Sequence, residues 1–136
     1  VFVYIVMMAG LSRVRAAAAR AELADQGLEV RRVMAAPVPL NPLRRVIVAE
    51  VAGGYVTLPG GERFEKQDTL PASRRVAGRR EGLTFLSWAR FPVFEGDVGG
   101  RCPIRMVCLR DLRYYGQGWA EVAIPVTAPL SSPPTH

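Results

Sequence analysis

The chain has 136 residues, 49% hydrophobic and 22% charged, enough apolar material for one core and too much for a disordered chain. Its 13 glycines and 11 prolines follow no collagen-like period, and no repeat of solenoid length is present. A net charge of +6 rests on arginines, with Lys66 the only lysine, scattered as pairs (Arg31-Arg32, Arg44-Arg45, Arg74-Arg75, Arg79-Arg80); such spacing suits a solvated basic face or an anionic lipid surface and argues against a nucleic-acid tract.

The first eleven residues, Val1 to Leu11, are uncharged. A helix that crosses a bilayer needs about 20 apolar residues, and the positive leader and small-residue cleavage site of a secretory signal are missing. Two expectations follow. Phe2, Ile5, Met8 and Ala9 form the buried face of an ordinary first helix, or residues 1–11 end a transmembrane helix that starts upstream of Val1. The flank favours the second, since Arg13, Arg15 and Arg20 follow and no acid precedes Glu22. That bias marks a helix leaving the membrane on its cytoplasmic side. The organisation expected is therefore a membrane or apolar helix end at 1–11, one domain at 12–128, and a disordered tail at 129–136.

From Leu11 to Gln26 the alanines at 16–19 and 21 predict a helix that stops at Gly27. Residues 28–34 read as a strand. Pro37, Pro39 and Pro42 then predict an extended connector that is neither helix nor central strand. Residues 45–51 and 55–58 form a hairpin about Ala52-Gly53-Gly54, with a second turn at Gly60-Gly61 before Arg63-Phe64-Glu65. Between Gln67 and Arg90 the spacing turns helical, giving one or two short helices with Pro71 in a first turn and Asp68 or Thr69 as cap. Phe91-Pro92 should close the second helix, and residues 94–100 should form a loop. Residues 104–115 are strongly β-forming, Gly116-Gln117-Gly118 supplies a turn, and Trp119 to Val126 returns with Ala120, Val122, Ile124 and Val126 on one face. The fold class expected is α+β: an antiparallel sheet of about five strands, with an N-terminal helix and one or two short helices packed on one side.

Little here supports catalysis. Cys102 and Cys108 form no CxxC pair, fit a reduced compartment, and Cys108 reads as a small buried hydrophobe. The one histidine, His136, ends the Pro-rich tail, which nearly excludes Ser/His or Cys/His catalysis and a histidine metal centre. No catalytic, cofactor-binding or metal-binding residue is therefore assigned. One polar cluster is a candidate: Asp111 and Arg113 share a face of a β run, where Asp111 either forms a structural ion pair or orients Arg113 toward a phosphate or headgroup, with Asn41 and Arg90 nearby. Tyr114, Tyr115 and Trp119 read as cross-strand packing, with base stacking or a membrane interface as the alternative.

Four stretches, in order, carry a resemblance: 36–43 (Ala-Pro-Val-Pro-Leu-Asn-Pro-Leu), Gly54-Tyr55, 87–92 (Ser-Trp-Ala-Arg-Phe-Pro) and 109–114 (Leu-Arg-Asp-Leu-Arg-Tyr). Together they resemble the carboxy-terminal region of the bacterial inner-membrane metal-dependent hydrolases. The chain departs from that pattern after Asn41-Pro42, where an aromatic residue is usual and this chain has Arg44 and Arg45. The resemblance implies a cytoplasmic accessory domain of a membrane-bound hydrolase, with histidines, acids and any divalent metal in an upstream membrane part. Two other classes stay open: a basic module for anionic lipid or nucleic acid, and a self-contained hydrolase using Asp111 or Glu50 as general base. An exposed apolar amino terminus would also favour a homo-oligomer.

Overall fold

Helix α1 (Phe2–Asp25) is one unbroken element of 24 residues in the computed structural model, which describes residues 1–38, 41–96, 101–115 and 118–126. The expected turn at Gly116-Gln117, the tail 129–136 with His136, Pro39 and Leu40 of the connector, and residues 97–100 lie outside the described residues. The carboxy end of α1 stops at Gly27, whose φ of +78° suits glycine. There Leu28 N–H donates to the Leu23 carbonyl at 3.0 Å and Gly27 N–H to that of Ala24 at 2.9 Å. This is the Schellman pair of bonds, and Leu28 packs with Leu23 in one apolar cluster, the contact that accompanies the motif.

The two halves of α1 have different surroundings. Met8, Leu11, Ser12, Ala16, Ala19 and Leu23, three or four residues apart, form the shielded face. Val1 to Met7 are exposed, Phe2 at 79% and Ile5 at 56%. The expectation that Phe2, Ile5 and Ala9 form a buried face is thus corrected, since the chain ahead of Met8 extends past the sheet on which the helix lies. An 18-residue window of α1 has mean hydropathy 1.4, so by length and composition the helix can cross a membrane.

Two antiparallel sheets replace the single sheet of about five strands. The first runs β1 (Val30–Val38), β2 (Asn41–Val51), β3 (Gly54–Leu58) and β4 (Glu62–Glu65), in that order. The second runs β5 (Pro92–Glu95), β6 (Met106–Asp111) and β7 (Glu121–Pro125). Helices α2 (Pro71–Ala77) and α3 (Arg80–Trp88) interrupt the chain between β4 and β5, which divides the strands into two sets. A backbone bond from Phe94 N–H to the Lys66 carbonyl, 3.1 Å, ties the two sheets.

Several local expectations change with this architecture. Pro37 and Pro42 lie within strands rather than in a connector, and Pro37 pairs with Arg45. β1 is the outermost strand, where a residue without an N–H costs no ladder bond. Leu70 is the N-cap of α2, so neither Asp68 nor Thr69 caps it, although Pro71 does occupy the first turn. Residues 92–95, expected to close a helix and begin a loop, form β5, because Val93 and Phe94 are buried between layers. The alternation of β7 holds, with Ala120 and Ile124 buried and Trp119, Glu121 and Ala123 exposed.

Cross-strand pairing decides what each face meets. Val33, Ala49 and Val56 lie in register on one face of the first sheet, which packs with Leu23 of α1. Val48 and Tyr55 occupy the other face, against Phe91, Val93 and Leu112. Beyond them Phe94, Leu109 and Ile124 pack on Val76 of α2 and Phe85 of α3. The helices therefore lie on opposite sides of the molecule, not on one side, because both faces of the first sheet are apolar.

Two glycines test this register. A Cβ on Gly54 would lie 2.1 Å from the Phe64 carbonyl oxygen, inside the β3–β4 ladder, whereas one on Gly27 meets nothing within 4 Å. Gly27→Ala is expected to cost about 1–2 kcal/mol for the left-handed backbone alone, and Gly54→Ala about 3 kcal/mol or more from overpacking against backbone. Urea denaturation of both variants reads the order, and a smaller loss for Gly54→Ala would contradict the strand pairing.

Candidate functional site

Asp111 ends β6, and its carboxylate, 1% exposed, is the most deeply buried charge among the described residues. The chain turns after it into a 3-10 turn, Leu112–Tyr114, and Asp111 caps that turn by accepting from Arg113 N–H at 3.0 Å. The Arg113 side chain folds back on the same carboxylate, donating from Nη2 at 2.7 Å and from Nε at 3.0 Å. Arg90 contributes its backbone N–H at 2.9 Å, and Arg113 also donates to the Trp88 carbonyl at 3.4 Å. Burial pushes the carboxyl pKa up, but the Arg113 bond, the two backbone N–H groups and the Arg113 charge outweigh it and hold Asp111 below the ordinary carboxylate range.

Of the four cluster residues read from the sequence, three therefore meet: Asp111, Arg113 and, through its backbone, Arg90. Asn41 lies at the opening of β2, where its Oδ1 accepts from Arg44 N–H at 3.2 Å. The Arg113 guanidinium faces inward, its Cζ 4.9 Å from the centroid of the Tyr114 ring. Its Nε and Nη2 donors are occupied by Asp111 and Trp88, so the arrangement ties β6 and the 3-10 turn to the end of α3.

A second cluster lies on the first sheet's inner face. Glu50 of β2 accepts from Lys66 Nζ at 2.5 Å and pairs with Arg32 Nε at 3.3 Å. Arg32 stacks 4.5 Å over the Phe91 ring and donates to the Arg90 carbonyl at 2.6 Å, linking this cluster to the Asp111 junction. The Lys66 bond, opposed by partial burial and aided by the Lys66, Arg32 and Arg31 charges, holds the Glu50 pKa below its ordinary value. Burial, reinforced by Glu50, pushes the Tyr55 phenol up to about 12. Two open depressions adjoin: one of about 880 Å³ along the β3–β4 hairpin at Gly53, Tyr55, Lys66 and Asp68, and one of about 370 Å³ reaching Arg74 and Phe94.

A third network lies on the face of the second sheet opposite Phe94 and Leu109, where Arg110 bridges Glu95 at 2.5 Å and Glu121 at 2.8 Å. Beside it Cys102 and Cys108 form a disulfide with Cα atoms 5.8 Å apart, correcting the expectation of two thiols. Tyr115 packs edge-on against Phe64 of β4, and Tyr114 of the 3-10 turn lies 4.3 Å from the exposed Trp119, so these aromatics pair through the turns beside the strands and not across them.

Chemically, these clusters hold strands together. A general base works best with a pKa near the operating pH and a free lone pair, and both Asp111 and Glu50 are held low by bonded cations. Among the described residues no three His, Cys, Asp or Glu side chains converge as metal donors. A fourth group went unnoticed in the sequence: Arg45 of β2 reaches back to α1, where its Nη2 donates to the Met8 carbonyl at 3.3 Å and approaches the Met8 sulfur at 3.8 Å. The Arg44-Arg45 pair was visible as charge, but nothing in its spacing connects it to Met8. Compared with known proteins, the chain matches no family model, no curated protein and no solved structure.

The Asp111 junction has a pH signature. Its folded pKa lies below the unfolded value, so its stabilisation is complete above about pH 4 and is lost as pH falls through the folded value. Asp111→Ala leaves the inward Arg113 unpaired and is expected to cost about 3–5 kcal/mol. In Asp111→Asn the stability lost between about pH 4 and pH 2 should shrink relative to the unsubstituted chain. Chemical denaturation across that range measures it, and parallel acid limbs would remove Asp111 from the account.

Proposed function

We propose that this chain is the soluble carboxy-terminal accessory domain of a membrane-bound protein of the metal-dependent hydrolase kind its motifs resemble, with the chemistry in an upstream membrane part. One observation carries this reading. The exposed apolar turns Val1–Met7 and the docked turns Met8–Leu23 are a single rigid helix. Apolar surface left in water costs about 25 cal/mol per Å², and a bilayer is a cover that suits exposed apolar turns followed directly by arginines. Arg13, Arg15 and Arg20 on the next turns support a cytoplasmic side of an inner membrane for the domain, by the excess of positive charge expected there. Anionic lipid is then the partner its charge favours. The clusters at Asp111 and Glu50 serve to hold the domain rigid beneath the membrane part.

A second reading, favoured by the Cys102–Cys108 disulfide, puts the same domain on the opposite face, since such bonds persist in oxidising compartments and are rare in the cytosol. Maleimide labelling starting from intact cells separates the two. Because both side chains are buried, the cells are quenched in acid and the protein unfolded in maleimide; alkylation of both cysteines without prior reduction supports the cytoplasmic side, and alkylation only after dithiothreitol supports the other.

The accessory role has its own test. The purified chain, given zinc, manganese or magnesium with phosphodiester, ester and amide substrates, is expected to show no turnover above buffer. Chelator-sensitive turnover would overturn the proposal. Light scattering with and without residues 1–11 tests a second copy as the competing cover, and a stable dimer that loses its partner on truncation would favour it.

A further inference from the structure

β1 runs back along α1: Arg20 reaches the Val30 carbonyl near one end of the strand, and Arg45, paired with Pro37, reaches Met8 near the other. Between α1 and β2 lies an open groove of about 420 Å³, lined by Arg15, Glu22, Arg44, Arg45, Leu58 and Pro59. Its charges are ordered along the helix. Arg45 lies at Met8, where the exposed apolar turns end; Arg15 is seven residues further, about 10 Å at 1.5 Å per residue, and Glu22 about 10 Å beyond that. Among the described residues, none of the three arginines forms an ion pair with an acid. The Nε of Arg45 is buried without a hydrogen-bond partner, an unmet donor in a guanidinium that already contacts α1.

We propose that this groove holds the phosphate of an anionic lipid headgroup, with Arg44 and Arg45 gripping it and Arg15 adding charge from α1. The proposal rests on the membrane reading of α1. If the apolar turns enter the bilayer, the stretch from Met8 to Arg15 spans the headgroup layer, which is about 5–8 Å deep on each side of the hydrocarbon. Guanidinium groups match phosphate oxygens in pairs and keep their charge at any physiological pH. The single acid, Glu22, lies at the end of the groove furthest from the apolar turns, where it does not repel a headgroup. Ordering of this kind, cations toward the lipid and acid away from it, is what distinguishes the groove from the arginines scattered over the rest of the surface.

The test uses the whole chain with vesicles of phosphatidylcholine, with and without phosphatidylglycerol. Phosphatidylglycerol should tighten binding. Arg44→Gln with Arg45→Gln should remove about 30-fold of that gain, from about five-fold per surface arginine, while the charge-matched pair Arg75→Gln with Arg80→Gln on α2 and α3 should change it less than about two-fold. Arg45 also contacts α1, so Arg44→Gln and Arg15→Gln singly, each with unchanged circular dichroism, should lose about five-fold apiece. Equal losses in the site pair and the control pair would reduce the effect to net charge and overturn the site. Inorganic phosphate that binds the chain in solution, without vesicles, as tightly as the phosphatidylglycerol gain would assign the groove to free phosphate and overturn the headgroup. Equal binding to both vesicle types rejects the lipid site but keeps the membrane reading; binding to neither rejects both.

Discussion

The first sheet has two apolar faces, and a sheet of that kind must be covered twice. Val33, Ala49 and Val56 require cover on one side, and Val48 and Tyr55 on the other. Helix α1 supplies the first and the β5–β7 half supplies the second, which also needs α2 and α3 over its own outer face. This constraint fixes where α1 docks, and therefore where it cannot. Only the turns from Met8 onward find sheet beneath them. Burial of core side chains at about 25 cal/mol per Å² drives that docking, and the same accounting leaves Val1–Met7 without a partner.

Polar groups then fasten the layers at two places. Glu50, between Lys66 and Arg32, links β1 and β2 to the segment after β4. Asp111 links β6 and the 3-10 turn to the end of α3. Arg32 joins them, because it pairs with Glu50 while donating to the Arg90 carbonyl, and the Arg90 N–H in turn donates to Asp111. Buried charges are tolerated only when paired and bonded, and removing one partner strands the other. Such junctions buy rigidity, since each carboxylate is taken up by bonded cations.

The domain is docked on the carboxy half of α1 and leaves the amino half projecting as part of the same continuous helix. Arg45 at Met8 holds the β1–β2 pair to the helix at the point where its exposed apolar turns end. The groove follows from that docking, since β2, paired with the strand that lies along α1, brings Arg44 and Arg45 beside Arg15.

Much of this was legible in the amino-acid order, because the signals are local. The Gly27 stop, the Gly53 and Gly61 turns, Pro71 in a first turn and the alternation of β7 each depend on neighbours a few residues away. The amino terminus was legible as apolar followed by arginine. What the order of residues left open was every long-range choice. β5 is four residues opening on proline, so it has no periodicity to show, and only burial between layers makes it a strand. The split into two sheets and the opposite placement of the helices follow from which faces need cover, a property of paired strands rather than of any one segment. Asp111 and Arg113 could be paired from two-residue spacing, yet the Arg90 backbone N–H and the Trp88 carbonyl reach them across more than twenty residues. The disulfide likewise needed Cys102 brought beside β6. Tertiary structure decided these points because contact energy depends on distance in space, which pattern along the chain does not specify.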